Sequence, residues 1–295
     1  MGGQSEAFLA HAATGLTTLC RAWAIVRKDG NSFGFTDHDC ELTFDGIKFR
    51  ADSGLTASAL AQSTGLSVDN TEALGALTAA AVREDEIEAG RFDGAEVRAW
   101  IVNWAEPDTR WLQFRGTIGE IRRAGGAFHA ELRGLTEALN RPLGRIYQKP
   151  CTAVLGDGAC GFDVTQPGYR HEGAPDRTKD GRIFEWDTLP GFDEGWFLRG
   201  RLDVLSGAGA GLWGMIKRDS TENGVRRIEL WEPIRAGVVD SDRVRLTVGC
   251  DKRFETCRLK FNNLLNFQGF PDLPGDDWVM AYPNGTGANE GGSLR

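Results

Sequence analysis

Short runs in which apolar and polar positions alternate are frequent along this chain, and long aliphatic helices are scarce. AEVRAWIVNW (95–104) sets Val97, Ala99 and Ile101 against Arg98, Trp100 and Val102, which predicts a strand with one buried face. TTLCRAWAIVRKDG predicts a strand ending at an Asp29-Gly30 turn. SFGFTDHDCELTFDGIKFRAD predicts short strands around a second turn, Asp45-Gly46, a strong hairpin signal. RWLQFRGTIGEIRR and AFHAELRGL flank Gly125-Gly126 and predict another hairpin. Short helices interrupt these strands: one over 3–14, one in REDEIEAG (83–90) closed by Gly90, and one in TEALNRPLGRIYQKPC broken by Pro142.

The second half repeats the strand pattern. RIFEWDTL, WFLRGRLDVL, GLWGMIKRDS, VRRIELWEP and VRLTVG have the spacing of a small β barrel or sandwich. Before them, 163–181 is polar and rich in Pro, Gly and charge, which predicts a loop or mobile crossover. After them, RFETCRLKFNNLLN is the best helix candidate, and NGTGANEGGSLR reads as a flexible Gly-rich tail. The expected organisation is therefore a β domain over 1–150, a cysteine-containing connector over 151–181 and a second β domain over 182–249. A cysteine-bearing segment over 250–283 and the tail over 284–295 complete it. The fold class is mainly β, a β-rich α+β protein.

Composition adds limits. The 295 residues are 41% hydrophobic and 26% charged, which is globular, with 39 glycines and 9 tryptophans that favour turns and short strands. The net charge of −8 argues against the whole protein acting as a nucleic-acid binder, yet does not exclude a DNA conduit, where weak affinity for phosphate would help. MGGQSEAFLAHAATGL has no basic n-region and no long apolar core, so neither a secretory signal nor a transmembrane segment is expected. Synthesis in the bacterial cytoplasm, with reduced thiols, is the expectation.

Six cysteines carry the chemistry. Cys20 and Cys40 fall in strand-rich segments and read as small buried hydrophobes. Cys151 and Cys160 bracket TAVLGDGA, Cys250 and Cys257 bracket DKRFET, and all four sit at turn- or helix-start positions. Two separated pairs closing a long domain make a four-thiolate set of the kind that holds zinc or an iron–sulfur cluster. The spacings are looser than a zinc-ribbon knuckle, and unrelated free thiols are the ordinary alternative. Thr36-Asp37-His38-Asp39 reads as turn chemistry rather than acid–base catalysis. His11, His38, His129 and His171 sit in no nucleophile motif, GxSxG, HExxH and P-loop patterns are missing, and GAGAG (207–211) reads as a tight turn.

The run C-x8-CGF at 151–162, with CDKRFETCRLKFNNLLNFQGFP far downstream, resembles the C-terminal region of the lambda-type minor tail protein L. RKDGNSFGFTDHDCELTFDG, GLSVDNTEALGAL, EIEAGRFDGAEVRAWIVNW and LNRPLGRIYQKPC extend a closer resemblance to the BR0599-like tail-tip proteins of alphaproteobacterial phages and gene transfer agents. The resemblance covers roughly Leu16 to Pro274. It implies a non-enzymatic, structural baseplate hub in a virion or gene-transfer-agent tail: two tube-like antiparallel β-barrel or sandwich domains plus a helical, cysteine-ligated C-terminal region. It implies a homotrimeric ring between a distal tail protein on the tube side and a central tip or fibre protein, with the tape measure and a tail peptidase as further contacts. DNA would only pass through its lumen. It also implies that Cys151, Cys160, Cys250 and Cys257 bind a 4Fe–4S cluster, with zinc as the alternative. Phe261, Phe267 and Phe270 would supply apolar cover, Asn262, Asn263 and Asn266 would fix the loop, and Lys252, Arg253 and Arg258 would flank the thiolates. A tail-tip cysteine hydrolase is the rival from another class.

Overall fold

The computed structural model describes residues 2–51, 70–74, 83–124, 127–134 and 144–274. The chain divides into two units, Met1–Pro142 and Leu143–Arg295. Among the described residues, an eight-stranded and a seven-stranded sheet carry the mainly β architecture expected from the alternating pattern.

The first unit opens with helix α1 (Gly2–Ala13) and contains β1 (Leu19–Val26), β2 (Ser32–Thr36), β3 (Leu42–Phe44), β4 (Ile47–Arg50), β5 (Asn70–Leu74), β6 (Glu96–Asn103), β7 (Arg110–Ala124) and β8 (Ala127–Gly134). Their order in the sheet is β3-β4-β2-β1-β6-β7-β8-β5, antiparallel except for β2 beside β4. Asp45 and Gly46 both take positive φ, 50° and 72°, and join β3 to β4 through the two-residue turn that the sequence announces. β7 and β8 pair antiparallel as expected, with Ala124 facing Ala127. Helix α2 (Glu84–Glu88) ends where Gly90 and Arg91 donate their N–H groups to Ile87 and Glu86, closing the orphan carbonyls. The buried Arg27 ties that helix to the β1–β2 turn through Glu86 and Asp29.

β6 departs from the expected single buried face. Val97 and Ala99 enter a core with Phe92, Phe114 and Leu132, while Trp100 and Val102 enter a second core with Phe44 and Phe49. Because the sheet curls, the β3–β4 hairpin lies over the far end of β6, and Trp100 meets both phenylalanine rings edge-on. A strand covered on each face in turn loses its simple period-two signature. The helix expected around Pro142 is not formed over 144–150, and its earlier residues lie outside those described. The same holds for the Gly-rich tail.

The second unit contains β9 (Arg170–Gly173), β10 (Arg177–Lys179), β11 (Ile183–Trp186), β12 (Arg201–Val204), β13 (Trp213–Glu222), β14 (Val225–Leu230) and β15 (Val244–Thr247), in the order β10-β11-β14-β13-β12-β15-β9. The expectation of a loop over 163–181 is corrected here, because that segment supplies both edge strands. Only residues 174–176 separate them. Such a link spans at most about 15 Å, whereas the edges of a flat seven-stranded sheet stand roughly 29 Å apart. The sheet therefore rolls up toward a barrel around Phe184, Phe197, Leu202, Ile216, Ile228, Leu230 and Leu246. Inside it, Asp219 of β13 and Arg226 of β14 form a buried ion pair, and Asp219 also accepts the Phe197 N–H at 2.8 Å. Arg226 donates as well to the Asp193 carbonyl, so the pair holds the 193–197 turn onto the hairpin.

The expected C-terminal helix is shorter than its sequence suggests. Helix α3 (Phe254–Leu259) stops, Asn262 takes a φ of 45°, and a single 3-10 turn follows over Leu264–Asn266.

Candidate metal centre

Cys151 and Cys160 lie on the loop that precedes the second unit's strands. Cys250 follows β15, and Cys257 sits on α3. Although widely separated in sequence, the four line one cavity, together with Leu155, Phe261, Asn263 and Phe267 among others.

Local bonds place each thiol. Asp157 gathers the first loop by accepting N–H groups from Val154 at 2.9 Å, Ala159 at 3.0 Å and Cys160 at 2.7 Å. Those donors, that of Cys160 foremost, hold its carboxyl below the ordinary range. Lys252, at a φ of 68°, joins the two halves of the cage. Its carbonyl accepts the Cys151 N–H at 2.9 Å, its own N–H points at Cys250 Sγ at 3.4 Å, and its ammonium reaches the Ala153 carbonyl. Cys250 is set by backbone crowding. A Cβ on Gly249 would stand 1.8 Å from the Leu198 carbonyl oxygen, and one on Gly200 would stand 2.1 Å from that of Thr247. Only glycine permits this approach between the 198–200 turn and the end of β15. Lys260 then bridges the same turn to the cage, donating to the carbonyls of Trp196 at 2.7 Å and Gly249 at 3.1 Å. Burial lowers its pKa.

The sulfurs are unequally supported. Cys151 Sγ receives the Gln268 N–H at 3.4 Å, Cys250 Sγ that of Lys252, and Cys160 Sγ the Asn263 side-chain amide at 3.6 Å. Cys257 Sγ instead donates to the Asn263 carbonyl at 3.3 Å. Burial, and then the charges of Cys250, Cys151 and Cys160, raise the Cys257 pKa to about 11. Burial also raises that of Cys250. Thiols that resist ionisation this way become thiolates together only when a cation offsets their charge. The donor set, converging in one partly dry cavity with N–H groups aimed at three sulfurs, fits a thiolate-held metal group.

The expected surroundings are partly met. Phe261 and Phe267 line the cavity, whereas Phe270 packs on Tyr147 at a ring distance of 4.8 Å. Asn263 and Asn266 line it, while Asn262 contributes the left-handed turn. Lys252 and Arg253 reach it, but Arg258 is not among its lining residues. The sequence reading missed Phe162 and Tyr169, which stack with Phe261 behind the cage, and missed Asp157. Cys20 is buried on β1 of the first unit, and Cys40 is exposed, against the expectation of a buried hydrophobe.

Among the described residues, the group of three or more His, Cys, Asp and Glu ligand atoms drawn within 4.8 Å is His38, Asp39 and Cys40. There the His38 ring stacks on Trp104, and its Nδ1 accepts the backbone N–H of Cys40, which is turn geometry. His171 is packed edge-on to Trp186 and Phe192, away from the four thiols.

The chain thus combines a curled N-terminal sheet unit with a small rolled sheet that ends in a thiol cage. The family described as "Baseplate hub protein, N-terminal attachment domain" matches residues 5–163, and the chain belongs to it. A second family, "Phage conserved hypothetical protein BR0599", matches residues 195–277. Among solved structures, a chain of the "Virion of native gene transfer agent (GTA) particle" is 54% identical, with a TM-score of 0.90 over 98% of this chain and 100% of that one. No curated protein matches. Among the described residues no helix is long and apolar enough to cross a membrane.

Proposed function

We propose that the chain is a non-enzymatic, structural hub in the baseplate of a gene transfer agent or siphophage-type tail. Three copies close a ring between the distal tail protein and the central tip protein, and DNA passes through the ring. The observation that carries the reading is the near full-length likeness to a chain of a gene-transfer-agent virion. Two β units per chain support the trimer, since three copies then offer six similar modules to a six-fold tube, and cyclic closure is the ordinary way such rings form. With 42 acidic and 34 basic side chains, there is negative charge to spare for a lumen that DNA must cross without sticking.

Within that hub the four cysteines hold a 4Fe–4S cluster that staples the segment before the barrel to the helix after it. Cys160 and Cys250, 90 positions apart, make this a long loop to close. Tetrahedral zinc, with Zn–S bonds of about 2.3 Å, needs sulfurs about 3.8 Å apart. The C-x8-C and C-x6-C spacings are looser than the usual zinc knuckle, which favours the larger cluster.

The test is anaerobic purification followed by iron, sulfide and zinc analysis. Brown protein carrying iron and sulfide is expected, lost in Cys250→Ser or Cys257→Ser and kept in Cys20→Ser. Iron that survives both of the first two substitutions overturns the ligand assignment, and zinc without iron overturns the cluster. Three copies per particle are expected, and a lumen lined by Lys and Arg would sink the conduit argument.

A further inference from the structure

The three supported sulfurs differ in who supports them. Cys151 and Cys250 are served by backbone N–H groups, those of Gln268 and Lys252. Cys160 is served by a side chain, the amide of Asn263. That amide is fixed in one orientation. Its nitrogen faces two acceptors, the Cys160 carbonyl at 2.7 Å and Cys160 Sγ at 3.6 Å, and its oxygen accepts from Asn266 Nδ2 at 2.7 Å. Reversing it would set like against like at each contact. The main chain of Asn263 holds Cys257, a member of the other pair. Its N–H donates to the Cys257 carbonyl at 3.0 Å, and its carbonyl accepts from Cys257 Sγ at 3.3 Å. The left-handed turn at Asn262 aims it there.

We propose that Asn263 is a positioning residue of the cage. One residue joins the Cys160 corner, 103 positions upstream of it, to the Cys257 corner, and its side chain supplies the N–H that offsets negative charge on Cys160 sulfur. It touches a ligand and not the metal group, so its effect is on how firmly the group is held and how easily it takes up an electron. The proposal rests on reading the four thiols as ligands.

The experiment compares wild type with Asn263→Asp, Asn263→Ala and Thr152→Val, each purified anaerobically. Asn263→Asp keeps the size but puts an oxygen where the N–H faces sulfur. Asn263→Ala removes the group if the acid prevents folding. Thr152 bonds the Gln268 carbonyl at 3.3 Å, close to the cage but with no bond to sulfur, and serves as the control. Two readouts are taken: the midpoint potential of the visible chromophore, and the rate of metal loss to a chelator. The expected result is a more negative potential and about tenfold or faster loss in both Asn263 variants, with Thr152→Val unchanged. Iron-loaded variants with wild-type potential and release rate overturn the role of Asn263 and leave the cluster assignment standing. Wild type that carries zinc and no iron overturns the cluster instead. The role of Asn263 is then decided by zinc release alone, faster loss supporting it and an unchanged rate overturning it.

Discussion

Replacing Asp219 with alanine should damage the second unit far more than loss of one surface ion pair would. The Asp219 side chain is 0% exposed and that of Arg226 is 7% exposed. Asp219 accepts from Arg226 Nε at 2.5 Å, from Arg226 Nη2 at 3.0 Å and from the Phe197 N–H at 2.8 Å. Removing one partner leaves a guanidinium buried without its counter-charge, which costs about 3–5 kcal/mol. The stranded Phe197 N–H places the loss toward the upper end of that range. For a unit of this size that is a drop on the order of 10 °C in melting temperature. The assay is calorimetric unfolding of Asp219→Ala, Asp219→Leu, Arg226→Met and the combined Asp219→Leu/Arg226→Met. The combined variant retires both charges at once and leaves the Phe197 N–H and the Asp193 carbonyl to compensate, so it should cost about 1–3 kcal/mol, less than Asp219→Ala. The turn held by this pair also meets Gly249 beside Cys250, so Asp219→Ala should release metal faster as well. Single variants whose losses simply add in the double would refute the reasoning, because uncoupled costs mean the two side chains do not depend on each other.

Other outcomes follow from the same coordinates. Gly249→Ala should abolish metal loading and lower the stability of the second unit, because the new methyl meets backbone at 1.8 Å; metal content near wild type would contradict this. Phe49→Ala, at a fully buried position stacked on Phe44, should cost the first unit about 3–5 kcal/mol and leave metal content unchanged, as read by calorimetry and metal analysis. Burial holds the Cys20 thiol up to about 11 from an ordinary 9.0. The folded unit thus keeps a proton that the unfolded chain has shed. This contribution is complete below pH 9 and is lost as pH rises toward 11. Urea midpoints of the first unit should therefore fall across that window, and less steeply in Cys20→Ala.

What could be read directly from sequence was local. Asp45-Gly46 demands its turn whatever surrounds it, and Gly90 ends its helix by backbone chemistry confined to a few residues. The two cysteine pairs stood out because all four sit at turn- or helix-start positions and together make a four-thiolate set. The edge strands β9 and β10 were hidden because they are four and three residues long, half-buried, and carry Arg170, His171, Glu172, Arg177 and Lys179. Charge on an edge strand deters pairing with other chains, and it also masks the strand. The second buried face of β6 depends on a hairpin some fifty residues earlier in sequence. Asn263 looked like turn chemistry, since nothing near it in sequence reveals that its partner is Cys160.

The cage closes off a barrel that lies between its two cysteine pairs: among the described residues, every strand of the second unit falls after Cys160 and before Cys250. A pull on the chain from either side of this unit therefore reaches the thiols before it reaches a strand. With a metal group in place, tension passes across the cage by a short route through Cys151, Cys160, Cys250 and Cys257, and the seven strands are left slack. Without it, the same tension runs through the strands, which open one hydrogen-bonded rung at a time. With that group bound, the four cysteines would work as a mechanical bypass for the barrel.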